Sequence, residues 1–301
     1  SEMCIRDRYG TGTWNADSLG NHRIVVSVDK PSDAVLAVIQ WRRRDFNPEN
    51  KDLIVIDAKT GKRITNVCRF QINREKGEVA FQPQTVPGDY YIYYLKNIST
   101  GSKYYPTVTY PGFEETASAE WKKANGLTGK KAPTLPLATV RQFQAISDFH
   151  SFYPMEVIAT AQEKEDLLKS KPNDPYILFT EDRRFPIRMT TDLPYKWIED
   201  NRHDFFEGTA DKGEYYTFQI GLWAARKDVS HLKLTYSPLV NSQTGESIPA
   251  SAFTCFNTGG VDVTGSVFEK DCSVPKGKVQ ALWVGTMVPE TVSYTHLRAH
   301  E

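Results

Sequence analysis

The densest group of chemically capable side chains is Trp41-Arg42-Arg43-Arg44-Asp45, an aromatic ring followed by three guanidinium groups and a carboxylate. A tryptophan ring can stack on a sugar, and a guanidinium donates paired hydrogen bonds to a carboxylate. On a strand, alternation would place Trp41, Arg43 and Asp45 on one face and Arg42 and Arg44 on the other. Trp41, Arg43 and Asp45 are therefore the candidate substrate-binding residues, with a sugar or a carboxylate as the ligand.

The same segment has a structural interpretation, in which Arg–Asp ion pairs hold the end of a strand at a domain interface. The residue types favour this interpretation, because arginine suits interface ion pairs as well as it suits ligands. A nucleic-acid partner is disfavoured, since 37 Lys and Arg balance 37 Asp and Glu and leave a formal net charge of zero. No apolar run reaches the length of a membrane span.

The remaining titratable residues do not predict an active site. Glycosidic cleavage usually needs two acids that face one pocket. The adjacent acid pairs instead look like solvated helix faces or local ion pairs, as where Arg183-Arg184 follows Glu181-Asp182. The histidines lack the spacing of a metal site, and no serine or cysteine lies in a nucleophile-elbow context. We therefore predict no catalytic residue, no metal and no cofactor for this chain.

The cysteines are too few and too far apart to predict a disulfide framework. A bridge between Cys255 and Cys272 is one alternative, and buried free thiols are the other, which the usual burial of unpaired cysteine favours.

The elements that would position these residues are mostly strands. Short β-branched runs with turn signals between them predict a first antiparallel β-sandwich over residues 9–112. Residues 113–204 are predicted to be a mixed α/β linker region, with a capping box at Thr160–Glu163 that begins a short helix. Strand patterns return over residues 205–291 and predict a second β-sandwich. The fold class is therefore mostly β, with two sandwiches joined by a linker region.

The second sandwich is predicted to be truncated. Its last strand pattern, Val279 to Met287, leads into Val288-Pro289, and a similar Val86-Pro87 precedes the closing aromatic strand of the first domain. By that parallel the closing strand is missing, and Val279 to Met287 should present an open edge.

The sequences at the two ends of the chain indicate that these end segments have an artificial origin. With one choice of codons for residues 1–7, the reverse complement encodes residues 292–298 in frame. Sequencing-library adapters place such a complementary pair at both ends of a fragment. Residues 1–8 and 292–301 are therefore expected to be translated adapter and to contribute nothing to the fold. Residues 9–291 are then expected to be part of a longer protein.

Several stretches together resemble one family. These stretches are Trp41–Asp45, Ser151–Thr160, Tyr215–Gly221 with Ala224–Arg226, Phe253–Asp262 and Val274–Gly285. They resemble the N-terminal region of large bacterial proteins with a glycoside hydrolase domain of the family 123 type.

The resemblance implies a parent protein in which β-sandwich domains precede a catalytic (β/α)8 barrel. It implies retaining, substrate-assisted release of N-acetylgalactosamine, with an adjacent Asp–Glu pair inside the barrel. It also implies a secreted, periplasmic or cell-surface location. This chain would then be a non-catalytic piece whose partner is the downstream barrel of the same polypeptide, with a glycan as a second candidate partner. The alternative is a glycan-binding or structural cell-surface protein without hydrolase activity.

Overall fold

The computed structural model describes residues 5–200, 205–290 and 296–300. The chain is mostly β and divides into two compact units between Tyr153 and Pro154. Within the described residues, no helix is long and apolar enough to cross a membrane.

The first unit consists mainly of strands. They are β1 (Tyr9–Thr11), β2 (His22–Val28), β3 (Val35–Ile39), β4 (Ile54–Asp57), β5 (Arg63–Ile64), β6 (Val67–Ile72), β7 (Gly77–Phe81), β8 (Gly88–Tyr93), β9 (Ile98–Ser102), β10 (Tyr105–Thr109) and β11 (Leu137–Ala145). The helices are α1 (Ala16–Leu19) and α2 (Ala119–Ala124), with 3-10 turns at Ile5–Arg8, Pro48–Asn50 and Asp148–His150.

Eight strands of this unit follow the order β5-β4-β8-β2-β11-β3-β7-β6, and β1 pairs with β11. Strand β11 connects the two halves of this order: its first residues pair in parallel with β3, and residues 139–145 pair antiparallel with β2. Strands β9 and β10 form a separate, fully exposed hairpin.

The core of the first unit lies between the two halves of that strand order. Alternate residues of β2, β4 and β8 join alternate residues of β3, β6 and β7 in one buried cluster. Across it, the rings of Phe81 in β7 and Tyr90 in β8 lie 5.0 Å apart between centroids. The shared core makes this unit a β-sandwich, and period-two alternation decides which face of each strand is buried.

The predicted linker region, residues 113–204, does not form a separate body, because the units divide within it. Its first part belongs to the first unit. The Trp121 ring of α2 is buried in a cluster with Leu36 and Cys68, and its indole nitrogen donates to the Asp33 carbonyl at 2.7 Å. Strand β11, which lies within the predicted linker region, is instead a central strand, since pairing on both sides satisfies its backbone despite its polar sequence.

The described residues of the second unit form ten further strands. They are β12 (Ile177–Asp182), β13 (Phe205–Thr209), β14 (Tyr215–Trp223), β15 (Leu239–Val240), β16 (Ser247–Ile248), β17 (Phe253–Cys255), β18 (Gly259–Val261), β19 (Val267–Glu269), β20 (Val279–Met287) and β21 (His296–His300). The helices are α3 (Ala161–Ser170) and α4 (Tyr195–Glu199), with a 3-10 turn at Ala250–Ala252. Thr160 caps α3 by accepting a hydrogen bond from the Glu163 amide, which confirms the predicted capping box.

The main sheet of this unit is antiparallel, in the order β12-β14-β20-β17. One face of β14 packs into a cluster that includes Tyr216, Leu222 and both Cys255 and Cys272, which are buried free thiols. On the other face, Trp197 of α4 stacks on Phe179 with centroids 4.4 Å apart. The second unit therefore differs from the predicted 205–291 sandwich, because it recruits β12 and α4 from upstream.

The predicted open edge along β20 is wrong. β20 pairs with β14 along all nine residues and with β17 at Val284–Thr286. Beyond β17, the side-chain amides of Asn257 and Gln280 bind backbone groups of β20. Asn257 Oδ1 accepts from the backbone amide of Trp283 at 2.7 Å, and Gln280 Nε2 donates to the Ala281 carbonyl at 2.8 Å. These side chains satisfy backbone groups that would otherwise form a template for another strand.

The terminal segments have described secondary structure in part. The 3-10 turn Ile5–Arg8 precedes β1, and β21 pairs antiparallel with β13 from His296 opposite Thr209 to His300 opposite Phe205. The adapter hypothesis predicted no such pairing, and residues 1–4, 291–295 and 301 lie outside the described residues.

Candidate functional site

The predicted Trp41–Asp45 segment is not a strand. Strand β3 ends at Ile39, and Arg42 has a left-handed backbone with φ of 49°. The amides of Arg42 and Arg43 donate to the carbonyls of Glu75 and Arg74, so the segment is bound to the turn between β6 and β7. Trp41 and Arg43 are nevertheless buried and Arg42 and Arg44 are not, as the alternation predicted.

Trp41 is 3 % exposed and packs against the backbone. Its indole nitrogen donates to the Asn73 carbonyl at 2.7 Å. A Cβ at Gly77 would lie 2.5 Å from the ring, which shows how closely β7 approaches it. A sugar cannot stack on this ring without displacing part of the core, so the geometry supports the structural interpretation of Trp41.

Arg43 and Asp45 form a buried ion pair that Lys51 completes. Arg43 donates to both Asp45 oxygens, at 3.0 and 2.7 Å, and to the Tyr94 carbonyl at 3.2 Å. Lys51 Nζ lies 2.7 Å from Asp45 Oδ2. The guanidinium also lies over the rings of Trp41 and Tyr94. The Nε and Nη2 donors of Arg43 and the oxygens of Asp45 are thus already engaged inside the protein.

The electrostatics of this cluster keep Asp45 ionised. Burial alone would raise its pKa, but the hydrogen bonds and charges of Arg43 and Lys51 outweigh burial and hold the pKa below its ordinary value. The neighbouring His22 stacks on Phe152, with centroids 4.1 Å apart. Burial, followed by the charge of His150, lowers the pKa of His22 to about 4. The cluster therefore holds a charged carboxylate beside a neutral imidazole at neutral pH.

A second group, which the sequence analysis missed, lies on the outer face of the same sandwich. Ile24 of β2 points into the core, so Arg23 points away from it. In register, Arg23 lies beside Tyr93 of β8 and Gln144 of β11. Its Nε donates to Gln144 Oε1 at 2.8 Å, and its Nη1 donates to the Tyr93 hydroxyl at 3.0 Å.

Two further aromatic rings contact this guanidinium. The Arg23 Cζ lies 3.6 Å from the centroid of Tyr91 and 4.4 Å from that of Trp14. The Trp14 indole donates to the Gly20 carbonyl at 2.8 Å, which fixes the ring in place. We call the group Trp14, Gly12, Arg23, Tyr91, Tyr93 and Gln144 the Arg23 cradle. The sequence does contain a signal for this group. Arg23 and Tyr91 alternate with apolar residues along their strands, and this alternation indicates that both side chains face away from the core.

The adjacent carboxylates do not converge. Glu181 is buried and accepts two hydrogen bonds from Lys196, at 2.7 and 3.1 Å. Burial raises the pKa of Glu181, although Lys196 opposes that effect. Asp182 binds Arg184, and Arg183 binds Glu214 instead.

Two further acids are engaged in the same way: Glu115, which precedes α2, with Lys122, and Glu165 of α3 with Lys169. Among the described residues, no group of three or more His, Cys, Asp or Glu side chains is arranged to hold a metal ion.

Comparison with known protein families gives a match for most of the first unit. Residues 12–146 match the family described as glycoside hydrolase 123, N-terminal domain. This match confirms the predicted resemblance over that part of the chain, which includes Trp41–Asp45. The residues of the Arg23 cradle lie within the same range. The other stretches that carried the resemblance lie beyond residue 146, outside the match.

One solved structure is similar over a short part of the chain. It is a family 123 glycoside hydrolase from Clostridium perfringens, studied for the hydrolysis of glycolipid glycans. The similarity has 15 % identity and a TM-score of 0.22, and it covers 31 % of this chain and 19 % of that chain. The chain thus corresponds to under a fifth of that protein's length. No curated protein matches the chain.

Proposed function

We propose that this chain is the non-catalytic N-terminal part of a glycoside hydrolase. In this proposal the first unit packs against a downstream (β/α)8 barrel and shapes one wall of its glycan cleft. The match of residues 12–146 to the glycoside hydrolase 123 N-terminal domain carries the proposal. The ion-paired carboxylates support the non-catalytic role, because a glycosidase needs two acids free to act on one bond.

The finer features of the proposal come from the family resemblance. The parent protein would release N-acetylgalactosamine, and it would be secreted, periplasmic or at the cell surface. The substrate-assisted reaction would be performed by an Asp–Glu pair in the barrel. None of the acids described above would take part.

The alternative is a glycan-binding or structural role at the cell surface without hydrolysis. The Arg23 cradle favours this alternative, because it combines aromatic rings with amide and guanidinium donors on an outer sheet face. Such combinations bind sugars through stacking and hydrogen bonds. The two proposals differ in whether a catalytic domain accompanies these units.

The direct test of the non-catalytic role is an assay of the purified 301-residue chain with aryl glycosides, including an aryl N-acetylgalactosaminide. We expect no turnover above the buffer background. Glu181→Gln and Asp45→Asn variants serve as controls, because each removes a largely buried, ion-paired acid. Turnover that survives purification and disappears in one of these variants would contradict the proposal.

A further inference from the structure

The Arg23 guanidinium is a buried cation that forms no ion pair with a carboxylate in the described part of the chain. Arg23 is 7 % exposed, and no described carboxylate lies within ion-pair distance of it. Arg43, which is 3 % exposed in the same unit, is fully paired with Asp45. Because buried charges in proteins are normally paired, the arrangement of groups around Arg23 needs an explanation.

The protein uses only part of the donor set of Arg23. A guanidinium carries five N–H groups in a plane. Gln144 accepts from Nε and the Tyr93 hydroxyl accepts from Nη1. No described residue accepts from Nη2, and Nη2 is not among the buried polar atoms that lack a partner, so water or a ligand can reach it. The rings of Tyr91 and Trp14 stabilise the cation but offer no oxygen in its plane.

The absence of a side chain at Gly12 leaves space beside Nη2 of Arg23. The Gly12 amide donates to the Ala145 carbonyl at 3.0 Å, which fixes its position beside the cradle. A Cβ at Gly12 would lie 2.6 Å from Nη2 and 3.0 Å from the Trp14 ring. Any side chain here would therefore press on the free donors, whereas glycine leaves them accessible.

We propose that the Arg23 cradle binds the carboxylate of an acidic sugar. The free N–H groups on Nη1 and Nη2 match the two oxygens of a carboxylate, the geometry in which arginine binds anions most strongly. Half-buried Trp14 and Tyr91 border these donors and provide apolar contact for a pyranose ring. The proposal that the ligand carries a carboxylate rests on the geometry alone. The proposal that the ligand is a sugar rests on the proposed role in a glycan-processing protein.

The test is a titration of the full chain with D-glucuronate, with acetate and D-galactose as the two partial ligands. The readout is the Nε–H resonance of Arg23, which the hydrogen bond to Gln144 protects from exchange. We expect D-glucuronate to shift this resonance and to bind at least about tenfold more tightly than acetate. D-Galactose, which has no carboxylate, should leave it unchanged.

Matched variants locate the site. Arg23→Lys keeps the charge but removes the planar fork, and Gly12→Ala keeps Arg23 but fills the space beside Nη2. Both should weaken D-glucuronate binding by about tenfold or more. Arg141→Lys, an exposed arginine on β11, should leave the affinity unchanged. If Arg23→Lys fails to fold, Gly12→Ala and the wild-type resonance still decide the question.

Three results would overturn the proposal: no response to either carboxylate, equal affinity for acetate and D-glucuronate, or undiminished binding in Gly12→Ala. Equal affinities for the two carboxylates would mean that the sugar ring contributes nothing to binding and that the cradle is a simple anion site. Because the readout is binding, it is independent of whether the longer protein hydrolyses glycans.

Discussion

Acidification should destabilise the first unit through one buried imidazole, that of His22. The side chain is 7 % exposed and stacks on Phe152. Burial lowers its pKa from 6.5 to about 4, aided by the charges of His150 and Arg43 and opposed by Asp45. The folded state therefore holds the neutral ring over a range of pH in which an unfolded histidine is protonated.

The size of the effect follows from linkage. Between pH 6.5 and about pH 4 the unfolded chain binds a proton at His22 and the folded chain does not. Falling pH therefore favours the unfolded state throughout this window. At 1.36 kcal/mol for each pKa unit, the first unit should lose about 3 kcal/mol of unfolding free energy across it. The full loss of unfolding free energy is reached below the folded-state pKa of about 4, and there is no loss above the unfolded-state pKa of 6.5.

The assay is urea unfolding at pH 7 and pH 4.5, with hydrogen exchange in β2 identifying the transition of the first unit. His22→Phe preserves an aromatic stack on Phe152 and removes the titrating group, so its loss between the two pH values should be about 2 kcal/mol smaller than that of wild type. His231→Gln, which changes an exposed histidine of the second unit, is the control and should match wild type. An identical pH dependence in His22→Phe and wild type would refute the reasoning.

Three further predictions concern the buried cluster and the ends of the chain. Trp41→Ala should lower the unfolding free energy of the first unit by about 3 kcal/mol, whereas Phe46→Ala, at an exposed ring, should cost less than about 1 kcal/mol. Unchanged stability in Trp41→Ala, together with lost binding to a glycan array, would instead support sugar stacking. Asp45→Asn should cost about 3–5 kcal/mol in urea unfolding, because it leaves the Arg43 charge buried and unpaired, and a neutral result would mean that water compensates the charge. Deletion of residues 292–301 should leave the melting temperature within error, as the adapter hypothesis requires, and a drop of several degrees would show that the β13–β21 pairing supports the second unit.

Alternation along single strands could be predicted from the sequence. The β-branched run Val35 to Ile39 is β3 itself, and the aromatic run from Tyr90 to Tyr94 divides between the two faces of the sheet. Tyr90 and Tyr94 enter the core, and Tyr91 lies on the outer face against Arg23. These features depend only on period-two geometry, which a local sequence pattern contains.

Features that depend on distant pairing could not be predicted. Strand β11 is polar and follows a proline-rich stretch, so its central position is decided by β2 and β3 rather than by its own residues. The hydrogen-bond partners of Arg23 lie 70 and 121 residues away along the chain. The cradle therefore exists only after three separate strands are aligned in register.

The most direct test of the central claim is the sequence of the same gene beyond codon 291, followed by an assay of the extended protein on aryl N-acetylgalactosaminides. The account predicts a downstream (β/α)8 pattern with an adjacent Asp–Glu pair at a strand end, and hydrolysis that is lost when that pair is mutated. Further β domains without such a barrel, in a protein that binds glycans but does not cleave them, would contradict the claim.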